Sequence, residues 1–188
     1  MIELKNVTFS YGEHNILNNF NLTVNNNECV QLCGASGSGK TTVARLILKL
    51  EKPINGTVIT PDNISAVFQE DRLLENLDVQ KNIRLVLPKE KYQFADNLLK
   101  EFNLYDERKK KISQLSGGMK RRIALLRAIA YDGDALVLDE PFNGLDLENK
   151  KIAAKIIKRE FIDKNKPVLL ITHVEEDAQL LKATVVGR

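Results

Sequence analysis

Residues 34–41 read GASGSGKT and satisfy the spacing G-x-x-x-x-G-K-[ST]. Glycines so placed let main-chain N–H groups converge on phosphate oxygens, because a bare Cα allows both close approach and unusual backbone angles. A helix starting at the end of such a loop adds the positive end of its dipole at the same point. Gly34, Ala35, Ser36, Gly37, Ser38, Gly39, Lys40, Thr41 and Thr42 are therefore expected to hold a nucleotide. Lys40 would reach the β- and γ-phosphates, and Thr41 would ligate Mg²⁺.

Acidic residues complete the chemistry. In ALVLDE, residues 135–140, a hydrophobic strand can deliver Asp139 beside a metal while Glu140 lies next to the γ-phosphate and orients water. His173 closes PVLLITH and Gln69 closes ISAVFQ. Each is unremarkable by itself, and both matter only if the sheet brings their strand ends toward the same phosphate.

That requirement sets the elements. Residues 2–9 and 16–24 alternate apolar with polar, predicting two antiparallel, half-exposed strands around the turn SYGEHN. ECVQLC predicts a strand running straight into the glycine loop, and TTVARLILKL a helix stopped by Pro53 and Gly56. GTVIT and ISAVFQ return to strand character. From Glu70 to Lys111 the pattern is helical, with Leu98, Leu99 and Phe102 on one face, as in an inserted lobe.

Met119–Ala130 predicts a helix with Ile123, Leu126 and Ala130 on its buried stripe, and DALVLDEP a continuously apolar strand. The next helix, roughly Leu147 to Ile162, puts Ile152, Ile156 and Ile157 inward and Lys150, Lys155 and Lys158 outward, before the buried strand PVLLITH. Apolar strands that end in polar groups and alternate with helices specify an α/β fold with a parallel sheet, whose ligands collect at the strands' carboxyl ends.

Taken in order, GASGSGKT, FQ, LSGGM, VLDEP, GLD and ITH resemble the ATP-binding cassette ATPases over essentially the whole chain. That resemblance implies one domain, 1–188: a P-loop NTPase with a mainly parallel RecA-like sheet, an N-terminal antiparallel β subdomain, and an inserted helical subdomain at approximately 70–118. It also implies that Tyr11 stacks on adenine, that Gln69 serves catalysis and Mg²⁺, and that Ser116, Gly117 and Gly118 form the signature. Glu140 is then the general base, Gly144, Leu145 and Asp146 the loop beyond the acidic strand, and His173 the switch histidine. ATP and Mg²⁺ are the implied cofactors.

The signature has its own physical reading. Ser116 and two glycines opening a helix form an anion site from a hydroxyl, free N–H groups and a helix dipole, without a lysine. The chain has one lysine-bearing loop, so this second anion site needs another molecule's ATP. Family geometry supplies a head-to-tail homodimer through ATP, or pairing with a related cassette. Transmembrane permease subunits are the further implied partners, with import as the expected direction. VFQEDRLLENLDVQKNI resembles the nitrate, sulfonate and taurine group of bacterial importers, although Glu75 and Asn76 stand where that group has Pro-Trp. Val174 likewise replaces the usual Asp after the histidine. The alternative is a soluble non-transport cassette ATPase of the translation or DNA-repair type.

Composition narrows the partners. Net charge is +3 and aromatics are 6% with no Trp, which does not suit a nucleic-acid surface. No apolar run approaches the ~18 residues that span a bilayer, and the resemblance to transporter ATPases implies a cytoplasmic place, peripheral on the inner face of the membrane. Cys29 and Cys33 read as reduced core thiols. The runs Lys109–Lys111 and Lys120–Arg122 read as solvated faces.

Overall fold

Alternating apolar residues at the N-terminus build the smaller of two sheets in the computed structural model, which describes residues 1–35 and 37–187. Strands β1 (Ile2–Tyr11) and β2 (His14–Val24) pair antiparallel from Ile2↔Val24 to Tyr11↔His14. Both run longer than their alternation suggested, and Gly12 and Glu13 alone make the turn. The register breaks between Leu4 and Val7, where Asn6 adopts φ +49°, so Ile2 and Leu4 and then Val7 and Phe9 all reach the core face. Strand β4 (Asn55–Ile59) covers the other edge of β1. Gly56 is required there, since a Cβ would lie 2.4 Å from the Asn6 carbonyl oxygen.

The larger sheet is parallel. It contains β3 (Cys29–Leu32), β5 (Ile64–Val67), β6 (Ala135–Asp139), β7 (Val168–Ile171) and β8 (Thr184–Val186), in the order β5-β6-β7-β3-β8. In β6, Leu136 and Leu138 face one hydrophobic core while Ala135 and Val137 face another. Burial on both faces is why that strand is apolar without alternation. One core lies under helices α1 (Lys40–Ile47) and the antiparallel sheet. The other gathers α2 (Val79–Arg84), α3 (Tyr92–Glu101), α4 (Gly117–Tyr131), α5 (Leu147–Glu160) and α6 (Glu175–Leu181).

Several local expectations change. The segment between β5 and α4 holds two short helices and 3-10 turns, with Leu98, Leu99 and Phe102 buried as the spacing implied. Helix α4 buries Ile123, Ala124, Leu125, Leu126, Ala128, Ile129 and Ala130, far more than one stripe, because it packs on β5 and also against α2, α3 and α5. Lys150 does not face water: its Nζ donates at 2.8 Å to the buried carboxylate of Asp177 on α6. Cys29 is buried and Cys33 half-buried, both free, and burial pushes the Cys29 thiol up to about 12. Among the described residues, no helix is long and apolar enough to cross a membrane.

Candidate functional site

The glycine loop joins β3 to α1. Gly39 precedes the helix with φ +89°, and a Cβ there would stand 2.9 Å from Ile16 Cγ2 and 3.1 Å from Leu17 Cδ2. Both the backbone angle and the packing therefore demand glycine. Lys40 Nζ donates at 2.8 Å to the carbonyl oxygens of Gly34 and Ala35, which holds the ammonium over the loop and leaves one of its three donors without an acceptor among the described residues. Ser36 lies outside the described residues.

A cavity of about 540 Å³ opens above this loop, within the range of ordinary small-molecule sites. Gly34, Gly37, Gly39, Lys40, Thr41, Thr42, Gln69, Asp139, Glu140 and His173 all line it. Parallel pairing makes this possible: β5, β6 and β7 end side by side, so the residues just beyond each end share one rim.

At that rim Thr41 Oγ1 donates to Asp139 Oδ2 at 3.3 Å. Asp139 is buried, and loss of solvation raises its carboxyl above the usual range despite the Thr41 hydrogen bond. Glu140 Oε2 accepts from Thr172 Oγ1 at 3.1 Å, and its Oε1 lies 2.8 Å from His173 Nδ1. Both carboxylate oxygens are thus held. The Glu140 backbone has φ +48°, uncommon for a non-glycine residue, and its N–H donates to Ile171 O at 2.8 Å.

Other expected site residues lie apart from this cavity. Tyr11 is 44% exposed, meets Phe9 edge-on with centroids 4.8 Å apart, and reaches Glu51 at 3.4 Å through its hydroxyl. Ser116 is the N-cap of α4, its Oγ accepting from Met119 N–H at 3.3 Å. Gly117 leaves open space where a Cβ would stand, and a Cβ on Gly118 would come 3.3 Å from Gly144 O. Asp146 caps α5 by accepting from Asn149 N–H at 2.8 Å, and its hydrogen bonds from Asn149 hold its carboxyl below the usual range. The signature and Gly144 are therefore neighbours, and neither lines the cavity, although Asn143 of the same loop does.

Sequence reasoning passed over four contributors. Thr172, fully buried, holds Glu140, and its carbonyl oxygen accepts from the buried Gln31 amide at 3.1 Å. Asn143 and Ile16 line the cavity. Their only sequence signals were nearness to His173 and Glu140, or, for Ile16, a place in the first hairpin. Arg121, read as part of a solvated charge run, is 4% exposed and donates into the backbone beside Glu140. Lys120 pairs with Glu75, and Arg122 donates to Phe102 O and Asn149 Oδ1. Hence this run is internal wiring more than a surface.

Comparison with known proteins meets this geometry. The chain is 35% identical over 190 residues to an aliphatic sulfonates import ATP-binding protein of Rhodococcus jostii, covering 98% of this chain and 77% of that one. It is 33% identical over 195 residues to an arginine transport ATP-binding protein of Bacillus subtilis, covering 92% and 81%. Its fold matches the ATP-binding cassette MJ0796, solved as a dimer in a post-hydrolysis state with ADP and Pi, at TM-score 0.84 and 29% identity over 96% of this chain and 91% of that chain. Residues 17–143 match the family model described as ABC transporter, and on that match the chain belongs to the ABC transporter family.

Proposed function

We propose that this chain is the ATP-binding and ATP-hydrolysing subunit of an ABC importer, working as one ATPase domain in which residues 70–118 form the helical subdomain. The observation that carries the reading is the convergence of Lys40, Thr41, Asp139, Glu140 and His173 on one cavity. Relatives named as import ATP-binding proteins favour transport over a soluble translation or DNA-repair role. Their names cover sulfonates, polyamines and amino acids, so the cargo is set by other subunits.

In this reading the loop amides and Lys40 bind the phosphates, and the Thr41 hydroxyl, Asp139 carboxylate and Gln69 amide hold Mg²⁺. These hard oxygen donors fit that ion, and the Thr41–Asp139 contact already gathers two of them. Mg²⁺ neutralises phosphate charge when bound. Glu140 orients a water and takes its proton, while Thr172 and His173 fix the two carboxylate oxygens so that little reorganisation accompanies proton transfer. Tyr11 stacks on adenine.

Ser116, Gly117 and Gly118 contact the ATP of a second cassette, with Asp146 at the same interface. ATP then favours the closed dimer, and loss of the γ-phosphate releases it. Exposed Leu74, Leu85 and Val86 on the helical segment suit docking to a permease, which would hold the protein at the cytoplasmic face of the membrane.

Steady phosphate release from purified protein with Mg-ATP tests the reading. Glu140→Gln should slow release by roughly 10²-fold or more while retaining ATP and favouring dimers. Unchanged turnover in that variant would remove Glu140 from its role, and no release from the unmodified protein would overturn the ATPase assignment.

A further inference from the structure

Resting on the ATPase reading above, we propose that Arg121 is a positioning residue for hydrolysis: its guanidinium clamps the Gln69 segment to the backbone of residues 139–141, and so fixes where Glu140 presents its carboxylate. The contacts are specific. Nε donates to Pro141 O at 2.9 Å, and Nη2 to Asp139 O at 3.0 Å and Glu140 O at 2.5 Å. Nη1 donates to Phe68 O at 2.6 Å and to Asp71 Oδ1 at 3.0 Å, with Gln69 O further off at 3.5 Å. All five N–H donors of the guanidinium therefore have acceptors, divided between two segments that follow different strands.

Three features separate this from ordinary helix packing. None of the acceptors belongs to α4, so the side chain adds nothing to its own helix. Three acceptors are the carbonyls of Asp139, Glu140 and Pro141, around a residue whose φ of +48° needs surrounding structure to over-determine it. The charge is buried, and among the described residues Asp71 is its single carboxylate partner, which makes the fork geometry of arginine essential. A lysine, with three donors from one atom, cannot bridge both segments. Arg121 also lies on the helix capped by Ser116, so α4 is a rigid link from the signature to the chain's own Glu140.

The test compares Arg121→Gln, Arg121→Lys and Asp71→Asn with the unmodified protein, by steady-state hydrolysis, by affinity for a fluorescent ATP analogue, and by hydrogen exchange without nucleotide. A misplaced general base with an intact phosphate loop predicts kcat down roughly 10²-fold in Arg121→Gln with affinity held within about threefold. Arg121→Lys should restore little of that loss. Exchange should rise at the hydrogen-bonded amides of Glu140 and Asn143 together. Asp71→Asn should lower kcat severalfold alone and add nothing in the Arg121→Gln background.

Unchanged kcat, a loss of affinity matching the loss of kcat, or added exchange confined to α4 would each overturn the proposal. If Arg121→Gln does not fold, the partly exposed Asp71→Asn decides: unaltered kcat and unaltered exchange at Glu140 and Asn143 refute the clamp. The exchange measurement needs no turnover. An inactive unmodified protein would thus refute the ATPase reading, while exchange alone still supports or overturns the clamp.

Discussion

Residue identity here is governed by what each group meets. Cys29 illustrates it: the thiol is buried beside β7, and its ionisation is pushed up to about 12, so almost no thiolate forms near neutrality. Cys33, just beyond the strand, is half-buried. At pH 8 a thiol reagent should therefore titrate one cysteine per folded chain and reach the second only in denaturant. Rapid modification of both would show that β3 opens. The adjacent carboxylates follow the same logic, because Asp139 and Glu140 are neighbours in sequence yet meet different surroundings: Asp139 is desolvated against Thr41, and Glu140 is held by Thr172 and His173.

At the scale of elements, charged groups act as fasteners between segments that the apolar pattern leaves unspecified. Asp132 ends α4 in a left-handed conformation and accepts from Lys91 before α3 at 3.2 Å and from Lys166 before β7 at 2.6 Å. Burial alone would raise its carboxyl, but the two lysines bring it below the usual range. A depressed folded value stabilises the protein above the unfolded value of about 3.9 and is lost as pH falls through the folded one. Asp132→Asn should accordingly lower stability at pH 7 by about 1 kcal/mol, a modest figure for a partly exposed network, with the difference disappearing in acid. Urea midpoints across pH measure this, and a deficit that persists below pH ~3 would place the effect in packing and not in charge.

At the scale of the whole molecule, the separation of the signature from the cavity is the consequential feature. Ser116–Gly118 and Gly144 neighbour one another but do not line the cavity that Lys40, Glu140 and Asn143 line. If two copies share each ATP, mixing Lys40→Ala protein with Ser116→Arg protein puts both defects in one composite site and leaves the other whole. Hydrolysis should return to about one quarter of the unmodified rate if pairing is random and the sites act independently. No recovery on mixing, with both variants folded, would count against the shared site.

What the sequence determined by itself follows from short-range rules. Glycine spacing marked the phosphate loop, unbroken apolar runs marked β6 and β7, and polar residues at strand ends marked Gln69, Asp139, Glu140 and His173. Periodicity reports how much of an element is buried on average. It does not report which neighbour does the burying. Only the tertiary structure therefore decided that Lys150 pairs with Asp177, that Thr172 and Gln31 brace the site, and that Arg121 turns inward. Such side chains are polar, so a reading by hydrophobicity sends them to water. Their burial depends on carbonyls and carboxylates that lie close in space but as much as 141 residues away along the chain.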